Sequence, residues 1–226
     1  NVDVTRNGLF YSTEEFVFLK AGSSGASIAS WGNLLFVGAP NSDNSEGRVD
    51  IYSRNSDGWS FQETVKASNS GIGDEFGSSV AVYGNQLVIT APNEDGDLNG
   101  LFNGPAINSG FSGDVNDNSG AVYIFTLVGS IWTESAYIKK PSNSIGANEF
   151  RHGFGSDIAI YDNRMIVGAD KDSTYFDSTG FVETGRAYLY RLDNSSGWVL
   201  DTPLETSIKR VGNRFGASVA IYKNRI

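Results

Sequence analysis

Residues 76–92 read FGSSVAVYGNQLVITAP, and closely related sequence occurs three more times along the chain. The other copies are SGASIASWGNLLFVGAP at 24–40, FGSDIAIYDNRMIVGAD at 154–170 and FGASVAIYKNRI at 215–226. Six positions after the shared glycine, each copy has an aromatic residue: Trp31, Tyr83, Tyr161 and Tyr222. A repeat this regular indicates one supersecondary unit that is used several times.

Each repeat predicts four short strands, which we call A to D. In the second repeat these are Ser78–Tyr83, Leu87–Ala91, Ala121–Phe125 and Trp132–Lys139. They are rich in β-branched and aromatic residues, and Gly, Asn, Asp and Ser separate them. Strands A and B are separated only by pairs such as Gly84-Asn85, and Gly and Asn both tolerate the positive φ of tight hairpin turns. The sequence has no helical period, so we expect essentially no helix.

The strands do not alternate cleanly between apolar and polar residues. In Val80-Ala81-Val82-Tyr83 both faces are apolar, which is typical of a sheet covered on both sides. Repeated four-stranded antiparallel units of this kind predict an all-β fold, a β-propeller in which neighbouring blades cover one another. The alternative is a stack of open β-sandwiches.

The repeats divide the chain into a partial blade (1–23), three blades (24–75, 76–153 and 154–214) and a second partial blade (215–226). The first segment resembles strands C and D, and the last ends two residues into a strand B. The sequence therefore predicts a piece of a longer polypeptide. The alternative is a four-bladed ring whose last blade joins the C-terminal strand A to the N-terminal strands C and D.

A family resemblance follows from these motifs. Phe-Gly recurs at 76–77, 154–155 and 215–216, and Gly-Ala-Pro or a close variant lies at 38–40, 90–92 and 168–170. The pattern resembles the FG-GAP repeat of the integrin α-subunit N-terminal propeller and of bacterial and algal surface proteins. The resemblance implies a seven-bladed ring, an extracellular or cell-surface location, and ligand binding by one face of the ring. Integrin-type repeats often place a calcium loop between strands A and B, but two residues here are too few to wrap a cation.

Composition excludes several classes of function. The chain has 226 residues, a formal net charge of −9 and no cysteine, so thiol chemistry and cysteine-based zinc sites are excluded. The basic residues do not cluster, which disfavours nucleic-acid binding. No apolar run approaches the length of a transmembrane segment.

One loop has the residue types of a calcium site. Asp95, Asp97 and Asn99 alternate before Gly100, and Asn103 supplies a further oxygen at the ninth position. Calcium prefers six to eight oxygen ligands, which such a loop provides. The alternative is a polar, solvated loop rich in turn formers. A second group, which includes Asp114, Asn116, Asp117 and Asn118, either adds ligands or forms an Asx-rich turn.

The loops between strands B and C, at 93–119 and 170–184, are the candidate ligand-binding loops. In a propeller the B–C and D–A connections lie on one face, and the length variation of the repeats falls there. Aromatic residues in these loops either contact a ligand or fill local hydrophobic gaps. They are Phe102, Phe111, Tyr175, Phe176 and Phe181.

The sequence has no arrangement of catalytic residues. His152 is the single histidine, and a surface position is the expected one for it. We therefore predict an extracellular, non-catalytic propeller that recognises a protein or a polysaccharide through its B–C and D–A face. The alternative is a structural subunit that binds copies of itself in an extracellular filament, sheath or surface layer. An enzyme domain is a third hypothesis.

Overall fold

Strands form where the sequence concentrates Val, Ile, Leu and aromatic residues between glycine-containing turns. The structure is a computed structural model, and it describes residues 25–96, 101–103, 118–141, 153–177, 180–208, 210, 212–223 and 225–226. The described residues contain three antiparallel sheets that follow one another along the chain, together with one small hairpin. We refer to the three sheets as blades 1, 2 and 3.

Each blade presents its strands in the order A, B, C, D, as the sequence predicts. The strands of blade 1 are β1 (Ser27–Trp31), β2 (Leu34–Gly38), β3 (Val49–Asn55) and β4 (Gly58–Val65). Blade 2 comprises β5 (Val80–Tyr83), β6 (Gln86–Ala91), β8 (Ala121–Val128) and β9 (Ile131–Lys139), with β7 (Leu101–Asn103) added outside β9. Those of blade 3 are β10 (Phe154–Tyr161), β11 (Arg164–Ala169), β14 (Arg186–Asp193) and β15 (Gly197–Leu204).

The remaining elements lie between strands B and C. Strands β12 (Ser173–Asp177) and β13 (Gly180–Glu183) pair with each other as a hairpin in blade 3. Within the described ranges the only helical segment is Ser42–Ser45, in which Asp43 and Asn44 have left-handed backbone angles. The all-β prediction is therefore confirmed, and so is the near absence of helix.

The two-residue turns between strands A and B are also confirmed. In blade 2, Tyr83 and Gln86 are register partners, which leaves Gly84-Asn85 as the turn. The positive φ lies on the first residue of each turn, for example Asp162 at 55° and Lys223 at 55°. It does not lie on the repeated Asn in the three turns whose Asn is described, which are Asn33, Asn85 and Asn163. The carbonyl of that Asn instead accepts a bond from strand C: Asn85 O accepts Leu127 N at 2.9 Å.

Both faces of blade 2 are buried, because strand residues alternate between two cores. Leu87 and Ile89 belong to the core shared with blade 1, where Phe36 and Phe76 also lie. Val88 points to the opposite core, which blade 3 completes. This arrangement explains the continuous apolar runs and confirms a blade-like packing of the repeats.

The repeated Phe-Gly and Gly-Ala motifs form the joints between blades. Phe76 is fully buried, and its N–H donates to Glu46 O at 3.1 Å, just before strand C of blade 1. A Cβ added at Gly47 or Gly38 would collide with the backbone of Phe76 or Gly77. The same collisions would occur at Gly185 and Gly168 against the Phe-Gly pair at 215–216. Glycine suits these positions because the backbones of neighbouring blades touch there. Blade 2 differs, since it has Thr90 at the position of Gly38 and Gly168.

Neighbouring A strands are also joined directly. The aromatic residues that recur in strand A stack in one column, with ring centroids 4.9 Å apart for Trp31–Tyr83 and 5.0 Å apart for both Tyr83–Tyr161 and Tyr161–Tyr222. Asp157 of β10 links three successive repeats, because it accepts hydrogen bonds from Ser79 Oγ at 3.0 Å and Val219 N at 2.9 Å. Across the described part of the chain, no helix is long and apolar enough to cross a membrane.

Candidate functional site

A cavity of about 560 Å³ lies among the B–C and D–A connections of the described blades. Its size falls in the range of ordinary small-molecule sites, about 300–1,000 Å³. It is lined mostly by polar and charged residues: Glu75, Pro92, Asn93, Asn118, Gly153, Ser156, Asp170, Lys171 and Arg214.

The lining comes from equivalent positions of successive repeats. Glu75, Gly153 and Arg214 are the residues that immediately precede each Phe-Gly pair. Pro92-Asn93 and Asp170-Lys171 are the residues that immediately follow strand B. The repeats share the glycines and aromatics that hold the blades together. At the cavity, the residue before Phe-Gly changes from repeat to repeat, and the Pro-Asn pair that follows strand B at 40–41 and 92–93 is replaced by Asp170-Lys171 in blade 3. The cavity therefore includes several positions at which the chemistry changes along the repeats.

An ion pair links two of these positions across the joint between blade 3 and the following repeat. Asp170 is 4% exposed, and its Oδ2 accepts Nε of Arg214 at 2.9 Å as well as a second guanidinium nitrogen. The Arg214 side chain itself is 65% exposed. Asp170 takes the place of Pro40 and Pro92 in the earlier repeats, so this ion pair is specific to one joint.

Other lining groups have polar atoms that no described neighbour uses. Lys171 is exposed and makes no hydrogen bond or ion pair within the described part of the chain. The half-buried Asn93 and Asn118 place amide groups along the same wall, and half-buried Glu75 adds a carboxylate. The cavity can therefore both donate and accept hydrogen bonds, and it has cationic and anionic groups.

A buried polar network supports the wall that contains Asn93. Asn93 N donates to Asp74 O at 3.4 Å, and the Asp74 carboxylate accepts Gly71 N at 2.7 Å. Asp74 is 4% exposed, and burial, together with the nearby charges of Glu94 and Asp95, raises its pKa to about 7. The hydrogen bond from Gly71 N and the positive charge of Lys139 act in the opposite direction.

Glu94 and Lys139 form a buried ion pair beside Asp74. Both side chains are 2% exposed. Glu94 Oε1 also accepts Tyr137 Oη at 2.8 Å and Asn69 Nδ2 at 2.8 Å. Because Asn69 lies in the connection from blade 1, the network ties the D–A turn to the B–C loop of blade 2. A related pair joins Lys140 of blade 2 to the buried Asp172 of blade 3 at 3.0 Å.

The predicted calcium ligands are only partly within the described residues. Asp95 is half-buried at the start of the loop, whereas Asp97 and Asn99 lie outside the described residues. The backbone of Asn103 lies in β7, where it is the register partner of Ala136. Among the side chains that the structure describes, no group of three potential metal ligands comes together. Calcium binding by this loop stays a prediction.

The predicted aromatic contacts are distributed over two elements. Phe102 is half-buried and packs against Tyr137, with ring centroids 6.1 Å apart, so it fills a gap beneath its own loop. Phe176 and Phe181 are register partners in the β12–β13 hairpin, and Tyr175 pairs with Val182. Phe111, Asp114 and His152 lie outside the described residues. A ligand contact by any of these aromatics stays a prediction.

Comparison with known proteins agrees with the geometry of the joints. The family model of the FG-GAP repeat matches residues 59–125. The match runs from strand D of blade 1 to strand C of blade 2, so it includes the first Phe-Gly joint. No curated protein matches the chain.

The cavity lies among the loops in which the sequence predicts ligand binding, and binding at these loops stays a prediction. Apart from Asn118, none of the residues that line the cavity is among the predicted site residues. The signal was present in the aligned repeats, since the residue before Phe-Gly is Glu75, Gly153 or Arg214 in turn. In an alignment of otherwise regular repeats, a position whose charge changes is one at which packing does not determine the residue type. Such positions are the ones to search first in repeat proteins.

Proposed function

We propose that this chain is part of an extracellular, non-catalytic propeller that binds a protein or a glycan through its B–C and D–A face. FG-GAP repeats are typical of extracellular proteins. The observation that most supports the proposal is the cavity, because its lining varies between repeats on an otherwise regular scaffold.

Two features of the same face support recognition of a large partner. The D–A turn places Ile72 at the surface with 77% of its area exposed, near the rim that contains Glu75. The B–C connection of blade 3 contains the β12–β13 hairpin, which is paired separately from the four strands of the blade. A rigid scaffold with variable connections is a common arrangement for binding proteins.

A loop exchange tests this proposal. Residues 97–117 are replaced by a short Gly-Ser linker, while Glu94 and Asn118 are kept so that Lys139 retains its buried partner. The matched control inserts a Gly-Ser linker between Gly129 and Ser130, in the C–D turn on the opposite face. Both proteins are tested for binding to arrays of glycans and of extracellular protein domains.

The proposal predicts that the loop exchange abolishes a binding signal that the wild type and the control share. Circular dichroism must show that both variants keep the β-sheet spectrum. Equal binding by all three proteins would contradict the proposal, and so would the absence of any signal for the wild type.

One observation favours the alternative function, a structural subunit of a filament or surface layer. The outer edge of β9 is covered by β7, but β4 has no further strand paired to it among the described residues. The outer strand of blade 3 contains Pro203, which lacks an N–H, whereas β4 contains no proline. An open edge strand can pair with another chain. Negative-stain microscopy of concentrated protein should show periodic assemblies if β4 has this role, and separate particles if it does not.

A further inference from the structure

We infer that the cavity binds an acidic sugar residue of a polysaccharide, with Lys171 and Arg214 holding its carboxylate. The inference rests on the proposed binding function and names the ligand class for the same cavity.

The lining favours a ligand rich in hydroxyl groups over an apolar one. Apart from Pro92, no lining residue has a sizeable apolar side chain, and none is aromatic. Protein hot spots are usually aromatic or large apolar side chains that fill apolar pockets. A lining of two amides, a hydroxyl and two carboxylates instead matches sugar hydroxyls, which both donate and accept hydrogen bonds.

The charges of the lining add a requirement for an anionic group. Asp170 is already neutralised by Arg214, so it does not oppose an approaching anion. Lys171 follows Asp170 directly, lines the same cavity and has no partner within the described ranges. Arg214 keeps an exposed guanidinium while it bonds to Asp170. Lys171, unpaired among the described residues, therefore supplies the positive charge for a carboxylate, and the exposed guanidinium of Arg214 can donate a further hydrogen bond to it. Glu75, Asn93 and Asn118 are available to hydroxyl groups.

Lys171 is the best position for a test because it takes no part in the blade joint. Replacing Arg214 would leave the buried carboxylate of Asp170 without its partner, whereas Lys171→Gln removes only an exposed charge. Lys223→Gln is the matched control, since Lys223 is an exposed lysine in the turn between strands A and B, on the opposite face. Lys171→Arg tests whether the charge or the lysine itself is needed.

The experiment measures binding of trimeric uronic-acid oligosaccharides by calorimetry. Galacturonate, glucuronate and mannuronate trimers are compared with the same trimers after reduction of their carboxylates to alcohols, and with a hexaglutamate peptide. We expect at least one uronate to bind, and both its reduction and Lys171→Gln to weaken binding about tenfold or more. Lys171→Arg and Lys223→Gln should bind within about twofold of the wild type, as expected when no charge is lost at the site.

Several outcomes would overturn the inference. These are no binding of any uronate, equal binding of the reduced trimers, equal loss in the Lys171→Gln and Lys223→Gln proteins, or tighter binding of hexaglutamate. The proposed function would survive any of these results if the loop exchange still abolished binding to an array component. Loss of both signals would reject the function as well as the ligand class.

Discussion

The substitution Gly38→Ala tests the joint between blades 1 and 2 with a single added methyl group. A Cβ at this position would meet the carbonyl oxygen of Gly77 well inside 3.0 Å, a separation that real Cβ atoms essentially never show. The obstacle is backbone, and Gly77 is itself held by the bond from its N–H to Thr90 O at 3.0 Å. The blades must therefore move apart to make room.

Overpacking of a well-packed core costs about 1–3 kcal/mol, and a rigid backbone obstacle places Gly38→Ala at the upper end. For a domain of this size each kcal/mol lowers the melting temperature by about 2–4 °C, so we expect a decrease of roughly 5–10 °C. Differential scanning calorimetry measures it directly.

Thr90→Ser is the matched control, because blade 2 already has a Cβ at the equivalent position. Thr90 Oγ1 accepts Ser79 N at 3.0 Å, and serine keeps that bond. Loss of one methyl group should cost about 1 kcal/mol. A melting temperature for Gly38→Ala equal to that of the wild type would refute the close approach of the two backbones.

Further predictions concern charged groups in the joints. Glu94→Gln should lower the free energy of unfolding by about 3–5 kcal/mol in urea titrations, because it leaves Lys139 buried without a counterion. The double substitution Glu94→Gln with Lys139→Met should recover most of this loss. No recovery would contradict the pairing. The pKa of Asp74 is about 7 in the folded state against 3.8 for the free carboxyl, so the folded state binds the proton of this group more tightly. The stabilising contribution of the protonated carboxyl is therefore fully present below about pH 3.8 and is lost as the pH rises through 7. Asp74→Asn should flatten the stability profile over that interval, and an unchanged slope in urea titrations from pH 4 to 8 would contradict the assignment. Asp157→Ala should lower the free energy of unfolding by about 1–3 kcal/mol, because Val219 N loses its hydrogen-bond acceptor. Asp157→Ser should lower it less, since Ser27 Oγ accepts a hydrogen bond from the equivalent Val80 N at 2.9 Å. Equal losses would argue against Asp157 as the acceptor of Val219 N.

The sequence predicts the blades well because local signals and packing agree. Strands β6 and β8 begin and end close to their predicted bounds, since turn residues limit them and both of their faces are buried. The repeated glycines could be recognised as anchors from the sequence. The reason why these positions are glycines is the contact of each Phe-Gly pair with the preceding blade, and this contact is seen only in the folded structure.

Features that depend on long-range pairing could not be predicted. Strand β7 has only three residues inside a polar loop, and its position is set by pairing with β9 rather than by its own sequence. The burial of Lys139 and Lys140 also contradicts the usual exposure of lysine, and only the carboxylates of Glu94 and Asp172 explain it. In the same way, the charges of the cavity come from residues far apart in the chain, so their convergence requires the fold.

The column of stacked aromatic residues offers the most direct test of the central claim, that successive repeats pack blade against blade. Photo-oxidation couples tyrosines whose rings lie in contact, and mass spectrometry of the digested protein identifies the linked pairs. The rings of Tyr83 and Tyr161, and those of Tyr161 and Tyr222, have centroids 5.0 Å apart, so we predict dityrosine links between these residues of different repeats. Links found only within one repeat, such as Tyr123 to Tyr137, would contradict the packing described above.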